Sequence, residues 1–334
     1  MSVLQTLAIE TSCDDTSLGI VRFENGLFSC DILKTHSQIA NHQQYGGVVP
    51  ELAYRLHEEE ILKLVQIIGY DTIRECELIT VTKEPGLPGS LVVGNTVASM
   101  LGSFLQKPIA RVNHIYGHIF SLLLDRCVQE LAFPWIILTA SGGHNELYLV
   151  KDGSPWSVVK IGYSLDDAAG ESFDKVSRML GGEYPWGPWI SKMAQWSTDG
   201  GQWHFKRILL DDENISNFSF SGMKSQVYQL LQKHPLQTLN EQDIADICRA
   251  FQECVTDILV TKLQWAAQVH DARTIGLVWG VSANDRLYEK AQAMPLEGNN
   301  ACQILRPTKK VYSTDNAAMI GVVGLLQHMG LVSL

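Results

Sequence analysis

Two kinds of apolar pattern alternate along this chain. Short, dense apolar runs ending in polar or glycine-rich turns predict buried strands. Longer stretches in which apolar residues return every three or four positions predict amphipathic helices. Leu7-Ala8-Ile9-Glu10-Thr11-Ser12 and Leu18 to Phe23 read as two strands around a polar turn, Cys13 to Ser17. Leu78 to Thr82 and Ile109 to Val112 read as two more strands. Residues 49–69 and about 90–105 read as helices, the former with a charged face at Glu58-Glu59-Glu60. The theme then repeats: Trp135 to Thr139 is a strand, Ser141-Gly142-Gly143-His144 a turn, and Glu146 to Val150 another strand. Asp243 to about Val269 is a long helix with Ile244, Ile247, Phe251, Val255 and Leu259 on one side. Thr274 to Val278 is a strand, and Asn316 to about His328 an apolar terminal helix. Residues about 183–240 show little periodicity and read as a loop-rich insertion. Strand–turn–strand units in two places predict a duplicated α/β architecture with a ligand cleft between lobes, although no repeat is visible in the residues.

The chain has 334 residues, enough for two lobes of ordinary size. Its 46% hydrophobic and 19% charged residues place it among globular rather than disordered chains. No apolar run approaches the roughly 18 residues that span a bilayer. The N-terminus shows no secretory pattern, so a cytoplasmic protein without membrane attachment is expected. Seven dispersed cysteines without a CxxC argue for reduced thiols rather than a disulfide framework or a cysteine zinc site. A net charge of −10 argues against nucleic-acid binding through the whole surface. Local basic candidates are Lys206-Arg207 and Arg306 with Lys309-Lys310.

Five places carry candidate chemistry. His114 and His118 are four apart, so on a helix both imidazoles share one face and can reach one metal ion. Asp315, before the terminal helix, is either a cap or a third ligand; two imidazoles and a carboxylate suit Zn²⁺ or Fe²⁺. The Ser141–His144 turn can present backbone N–H groups to an anion, or simply close a hairpin. Asp174, one turn into a helix starting near Gly170, either favours the helix dipole or accepts hydrogen bonds from a ribose. Asn284 follows Gly280-Val281-Ser282-Ala283 after a strand, where α/β folds hold nucleotides; it either caps a helix or meets a ligand.

Taken together, these segments resemble the universal tRNA threonylcarbamoyladenosine transferase family, the TsaD-type proteins once described as O-sialoglycoprotein endopeptidases. The resemblance runs from about residue 5 to 329. It is carried by Ile9 to Ser17, Tyr45 to Ala53, the His114/His118 helix, Ser141 to His144, Leu165 to Lys175, Phe218 to Lys224, Val281 to Asn284 and Ser313 to Asn316. It implies a two-lobed actin-like/sugar-kinase fold, with lobes expected at residues 1–111, completed by a helix over about 315–334, and 112–314. It implies transfer of a threonylcarbamoyl group from threonylcarbamoyl-AMP to N6 of the adenosine 3′ of the anticodon in tRNAs reading ANN codons. Residue by residue, it implies one divalent metal on His114, His118 and Asp315. It places the adenylate against Ala140, Ser141, Gly142, Gly143, His144, Asp174, Gly187 and Asn284. It also implies a tRNA partner and, for bacterial members, an inert TsaB-type paralogue and a small TsaE-type ATPase.

This chain departs from the family pattern at Glu84, Trp186 and Trp279, where glycine is usual, and at Asn145, where threonine is usual. Indoles in loops that approach a ligand either stack on adenine or fill the pocket. Two other readings follow: a non-catalytic scaffold of the same fold that binds nucleotide poorly, and a small-molecule kinase using Asp14 or Asp15 with Mg²⁺. Two imidazoles with one aspartate are a poor set for an oxygen-preferring ion, which counts against the kinase. An endopeptidase lacks support, because Ile115-Tyr116-Gly117 between the histidines supplies no glutamate base.

Overall fold

The computed structural model describes residues 3–183, 186–198, 202–210, 216–295 and 302–333. Two compact units share the chain. The first comprises residues 1–132, 152–157 and 307–334, the second 133–151 and 158–306.

The first unit is built on a mixed sheet in the order β3-β2-β1-β4-β5. Its strands are β1 (Leu4–Glu10), β2 (Asp15–Glu24), β3 (Leu27–Ser37), β4 (Leu78–Glu84) and β5 (Ile109–Asn113). The first three run antiparallel, and β4 and β5 run parallel to β1. Helices α1 (Ile39–His42), α2 (Pro50–Ile68), α3 (Tyr70–Glu75), α4 (Pro88–Leu105) and α5 (His114–Phe120) follow the strands, and the C-terminal helix Ala317–His328 returns to this unit. The period-2 alternation of β1 sorts its side chains by face. Leu7 and Ile9 join Ile61, Leu64, Val93 and Val97 in the core under α2 and α4. Ala8 points the other way, to Gly321 of the C-terminal helix. A Cβ on Gly324 would lie 2.0 Å from Thr80 Oγ1, so only glycine lets that helix seat so closely on β4. Glu10 shares the parity of Ala8 and so faces the C-terminal helix side.

In the second unit the strand order is β10-β9-β6-β7-β8, which read backwards repeats the topology of the first. Its strands are β6 (Trp135–Ala140), β7 (Asn145–Lys151), β8 (Ser157–Tyr163), β9 (Thr274–Val278) and β10 (Gln303–Leu305). β7 pairs antiparallel with β6, β9 lies parallel to β6, and β10 lies parallel to β9. The helices are α6 (Ala169–Met179), α7 (Trp186–Ala194), α8 (Ser221–Lys233), α9 (Glu241–Val269) and α10 (Asp285–Ala293). Phe251, Val255 and Leu259 of α9 pack against Ile136, Leu138 and Ile275 of the sheet. The expected start of α9 moves back to Glu241. Asn240 Oδ1 accepts from Asp243 N at 2.9 Å and Asp243 Oδ2 accepts from Asn240 N at 3.1 Å, a reciprocal cap.

Three expectations are corrected. The segment expected to be loop-rich, 183–240, contains α7 and α8, which reach the core through Ile190, Met223 and Val227. Residues 184–185, 199–201 and 211–215 of that segment lie outside the described residues. Strands β3, β8 and β10 were not expected; all three lie at sheet edges, and few of their side chains are buried. Finally, the polar turn ends at Asp14, because Thr16 and Ser17 lie within β2.

Candidate metal centre and nucleotide cradle

The histidine helix starts where Asn113 Oδ1 accepts from Ile115 N and Tyr116 N at 2.8 and 3.3 Å. This cap sets the rotation of α5, so both histidines face inward; His114 is 4% exposed and His118 fully buried. Gly117 between them brings α5 against the C-terminal helix, since a Cβ there would lie 2.9 Å from Ile320 Cδ1. That close packing delivers Asp315 from the approach to the same helix. His118 Nε2 lies 3.2 Å from His114 Nε2 and 3.1 Å from Asp315 Oδ1, and His114 Nε2 lies 3.5 Å from the same oxygen. Donors about 2.1 Å from one tetrahedral ion lie roughly 3.4 Å apart, so the trio fits a single ion. Among the described residues, these three form a cluster able to hold a metal. Asp315 is not the helix cap; Asn316 takes that role, accepting from Met319 N at 3.1 Å.

Glu10 stands behind His114. Its carboxylate can only accept, so the His114 Nδ1 proton points to Glu10 Oε2 at 3.2 Å and Nε2 is left to face its partners. Ser12 N donates to Glu10 Oε1 at 2.5 Å, Thr82 Oγ1 donates to Oε2, and Ser12 Oγ lies 3.1 Å from His114 Nδ1. Burial alone would raise Glu10, but the His114 charge and hydrogen bond hold it below the usual carboxylate range. Burial opposes a charge on His114, yet Asp315 and Glu10 push it up to about 10, while burial pushes His118 down to about 4. Asp315 is held low against its burial by His114 and His118. One buried and one half-buried carboxylate thus share one protonated imidazole, a charge balance that favours a divalent cation. Sequence reasoning assigned Glu10 no role; the available signal was a carboxylate inside an apolar strand.

The second constellation lies entirely in the second unit. Ser141 N donates to His144 O at 2.8 Å, while Ser141 Oγ accepts from Gly143 N at 3.2 Å and His144 N at 3.0 Å. Two N–H groups of the expected anion cradle therefore close onto Ser141. Gly170 N donates to Ser141 O at 3.0 Å, docking the start of α6 on the turn. One turn along α6, Asp174 lies between Gly142 and Gly187: added Cβ atoms there would stand 4.0 and 3.8 Å from its carboxylate oxygens. Its carboxyl is pushed up to about 6 by burial, against the opposing Gly187 N–H and the Arg178 charge. Gly143 and Gly280 have nothing within 4 Å of an added Cβ. None of these four glycines takes a left-handed φ. Neither backbone conformation nor packing demands glycine here, which leaves room for a ligand as the physical reason.

Asn284 caps α10 by accepting from Leu287 N at 3.1 Å, and its amide donates to Ser191 Oγ and Gln252 Oε1, both at 2.9 Å. Ala140 is the buried last residue of β6. Of the departures from the family pattern, Glu84 ends β4 and is exposed, and Trp186 lies under the Arg178 guanidinium at 5.1 Å. Trp279 has φ 76° and stacks on His144. Asn145, the fourth, is a buried residue at the start of β7. The basic candidates are largely neutralised in ion pairs: Arg207 with Asp257, Arg306 with Asp285 at 2.8 Å and Lys309 with Asp125 at 2.8 Å.

With this geometry in hand, comparison with known proteins is informative. Residues 31–322 match the family model described as TsaD: tRNA N6-adenosine threonylcarbamoyltransferase. A protein of that name from Chloroherpeton thalassium is 39% identical over 97% of this chain and 92% of its own length. Another, from Kosmotoga olearia, is 40% identical over 96% and 92%. Among solved structures, HypF from T. kodakarensis superposes with a TM-score of 0.62 at 13% identity, covering 99% of this chain and 48% of that one. A full-length HypF gives 0.58 at 12% identity, covering 99% and 56%. These two likenesses establish the two-lobed fold class.

Proposed function

The chain belongs to the tRNA N6-adenosine threonylcarbamoyltransferase family, and from that premise we propose that His114, His118 and Asp315 hold its metal and that the Ser141–His144 turn, Asp174, Gly187 and Asn284 hold its adenylate. It is a transferase that modifies N6 of an adenosine in tRNA. The donor is threonylcarbamoyl-AMP and the acceptor is the adenosine 3′ of the anticodon in ANN-decoding tRNAs. The observation that carries this reading is the convergence of His114 Nε2, His118 Nε2 and Asp315 Oδ1. An imidazole–carboxylate set favours Zn²⁺ or Fe²⁺ over Mg²⁺.

The reaction forms a bond between N6 and the carbamoyl carbon, breaks that carbon's bond to the phosphate oxygen, and releases AMP together with one N6 proton. A bound metal would supply charge to orient and polarise the threonylcarbamoyl portion. Glu10 fixes the His114 ring and its tautomer for that role. Gly142, Gly143 and Gly187 leave space for the phosphate and ribose, and Asp174 accepts from ribose hydroxyls. Asn284 holds the 280–283 turn to α7 and α9, with one Oδ1 lone pair left over. The attacking adenosine must be unstacked by the bound tRNA, since N6 is otherwise held in the base stack.

The resemblance also implies a paralogous partner on a helical face of the first lobe. Exposed Val92, Met100 and Phe104 lie along one side of α4, with exposed Ile67 and Tyr70 nearby; the Tyr70 and Phe104 rings stand 6.2 Å apart. That apolar stripe is the docking surface assigned to the paralogue. The deciding experiment supplies labelled threonylcarbamoyl-AMP and an ANN-decoding tRNA to the chain with its partner proteins. Transfer by the wild type that vanishes in His114→Ala supports the reading; wild-type rates in the variant refute it.

A further inference from the structure

We propose that Trp279 is the purine-stacking residue of the nucleotide site, backed by His144. The inference rests on the reading that the Ser141–His144 turn and Asp174 hold an adenylate. Trp279 has φ 76° and ψ −176°, a backbone conformation open essentially to glycine alone. A tryptophan there is strained, and strain of this kind persists only where the surroundings over-determine it. Two features do so. Trp279 O accepts from Ser282 N at 3.0 Å and from Ser282 Oγ, which pins the turn leading to Asn284. Its indole stacks on the His144 imidazole, with ring centroids 5.5 Å apart and planes 14° from parallel.

The position of the pair points to a base. Trp279 directly follows the last residue of β9 and Ala140 ends β6, two parallel strands, and ligands in α/β sheets bind beyond such carboxyl ends. The neighbouring Gly280 and Gly143 have open space over their Cα atoms. Trp279 itself is only half-buried. An indole held against an imidazole is flat and electron-rich, which suits the face of a purine better than a ribose or a phosphate.

The test is calorimetric titration of the full chain with AMP and, separately, with ribose 5-phosphate, for wild type, Trp279→Gly and Trp279→Phe. Glycine fits the observed φ, so the first variant folds without new strain, and a thermal melt checks this. The expected result is a roughly 5- to 150-fold weaker AMP affinity in Trp279→Gly, the range of one base–aromatic stack. Ribose 5-phosphate affinity stays unchanged, and Trp279→Phe keeps most of the AMP affinity. Equal or tighter AMP binding by Trp279→Gly would overturn the proposal, because the indole would then be filling the pocket. Asp174→Asn separates the two readings. It should weaken both ligands if the adenylate site is correctly placed. If wild type binds neither ligand, the site assignment fails, and the stacking role fails with it.

Discussion

Glu10 and Asp174 show how single carboxylates shape the proposed sites. Glu10 is fully buried in an apolar strand, a costly place for a charge unless it meets donors, and His114, Ser12 and Thr82 provide them. Glu10→Gln keeps the shape but loses the charge that orients His114. It should bind metal about 10- to 100-fold more weakly while melting cooperatively, as metal content and calorimetry would report. Asp174 titrates at about 6 in the folded chain instead of the usual 3.8. A raised acid means the folded state keeps its proton longer, so this group favours folding as pH falls through about 6. Binding runs the other way, because the ionised carboxylate is the better acceptor for ribose hydroxyls. AMP affinity should therefore decline below about pH 6, and Asp174→Asn should flatten that decline in a pH series of titrations. Glu10 lay within a segment already matched to the family. Its partners could not be read there, because Thr82 and His114 are 72 and 104 residues away.

At the scale of elements, periodicity served best where an element has one strongly apolar face. Helices α2, α4 and α9 are such elements, whereas strands β1, β4, β6 and β9 were legible as short apolar runs buried on both faces. Edge strands β3 and β8 cover little core, so their sequences carry a weak alternation. Helices α7 and α8 do carry the helical spacing, through Trp189, Ile190, Met193 and Ala194 in one and Met223, Val227, Leu230 and Leu231 in the other, but both are short and set among Gly, Asn and Asp residues that obscure it. α9 and α10 are tied by Glu253, which pairs with Arg286 Nε at 2.5 Å and Lys290 Nζ at 2.7 Å. Burial would raise this carboxyl, but both cations hold it down at about 2. A depressed acid contributes stability that is present above the usual 4.5 and lost as pH falls towards about 2. In acid melts, Glu253→Gln should lose less stability across that window than wild type. On α4, Met100→Glu with Phe104→Lys should abolish association with the paralogous partner and leave the melting temperature nearly unchanged, since both side chains are exposed. Retained binding in a pull-down would move the partner to another surface.

The whole molecule carries −10 charges, and three of its five candidate basic residues are already paired. The isolated chain should therefore hold tRNA no more tightly than the 10⁻⁴–10⁻⁶ M typical of non-specific contacts, with partner proteins improving it, as filter binding across a salt series would show. No helix among the described residues is long and apolar enough to cross a membrane. At this scale the same strand order recurs in both units, although no repeat was detectable in the residues, because topology constrains only which positions are apolar and many side chains satisfy that. The resemblance implied a change of lobe at residue 111, whereas contacts carry the first unit to residue 132, since α5 packs on the C-terminal helix. By itself the sequence determined the strands and helices with one apolar face, the histidine spacing and the family motifs, all of which are local patterns along the chain. Asp315 was already expected beside the histidines; the tertiary structure alone decided that Glu10 also converges on His114 and that two cradle N–H groups close onto Ser141. It also decided that Trp279 sits in a glycine's backbone conformation. Each of these depends on how distant segments pack, and neither propensity nor spacing encodes that.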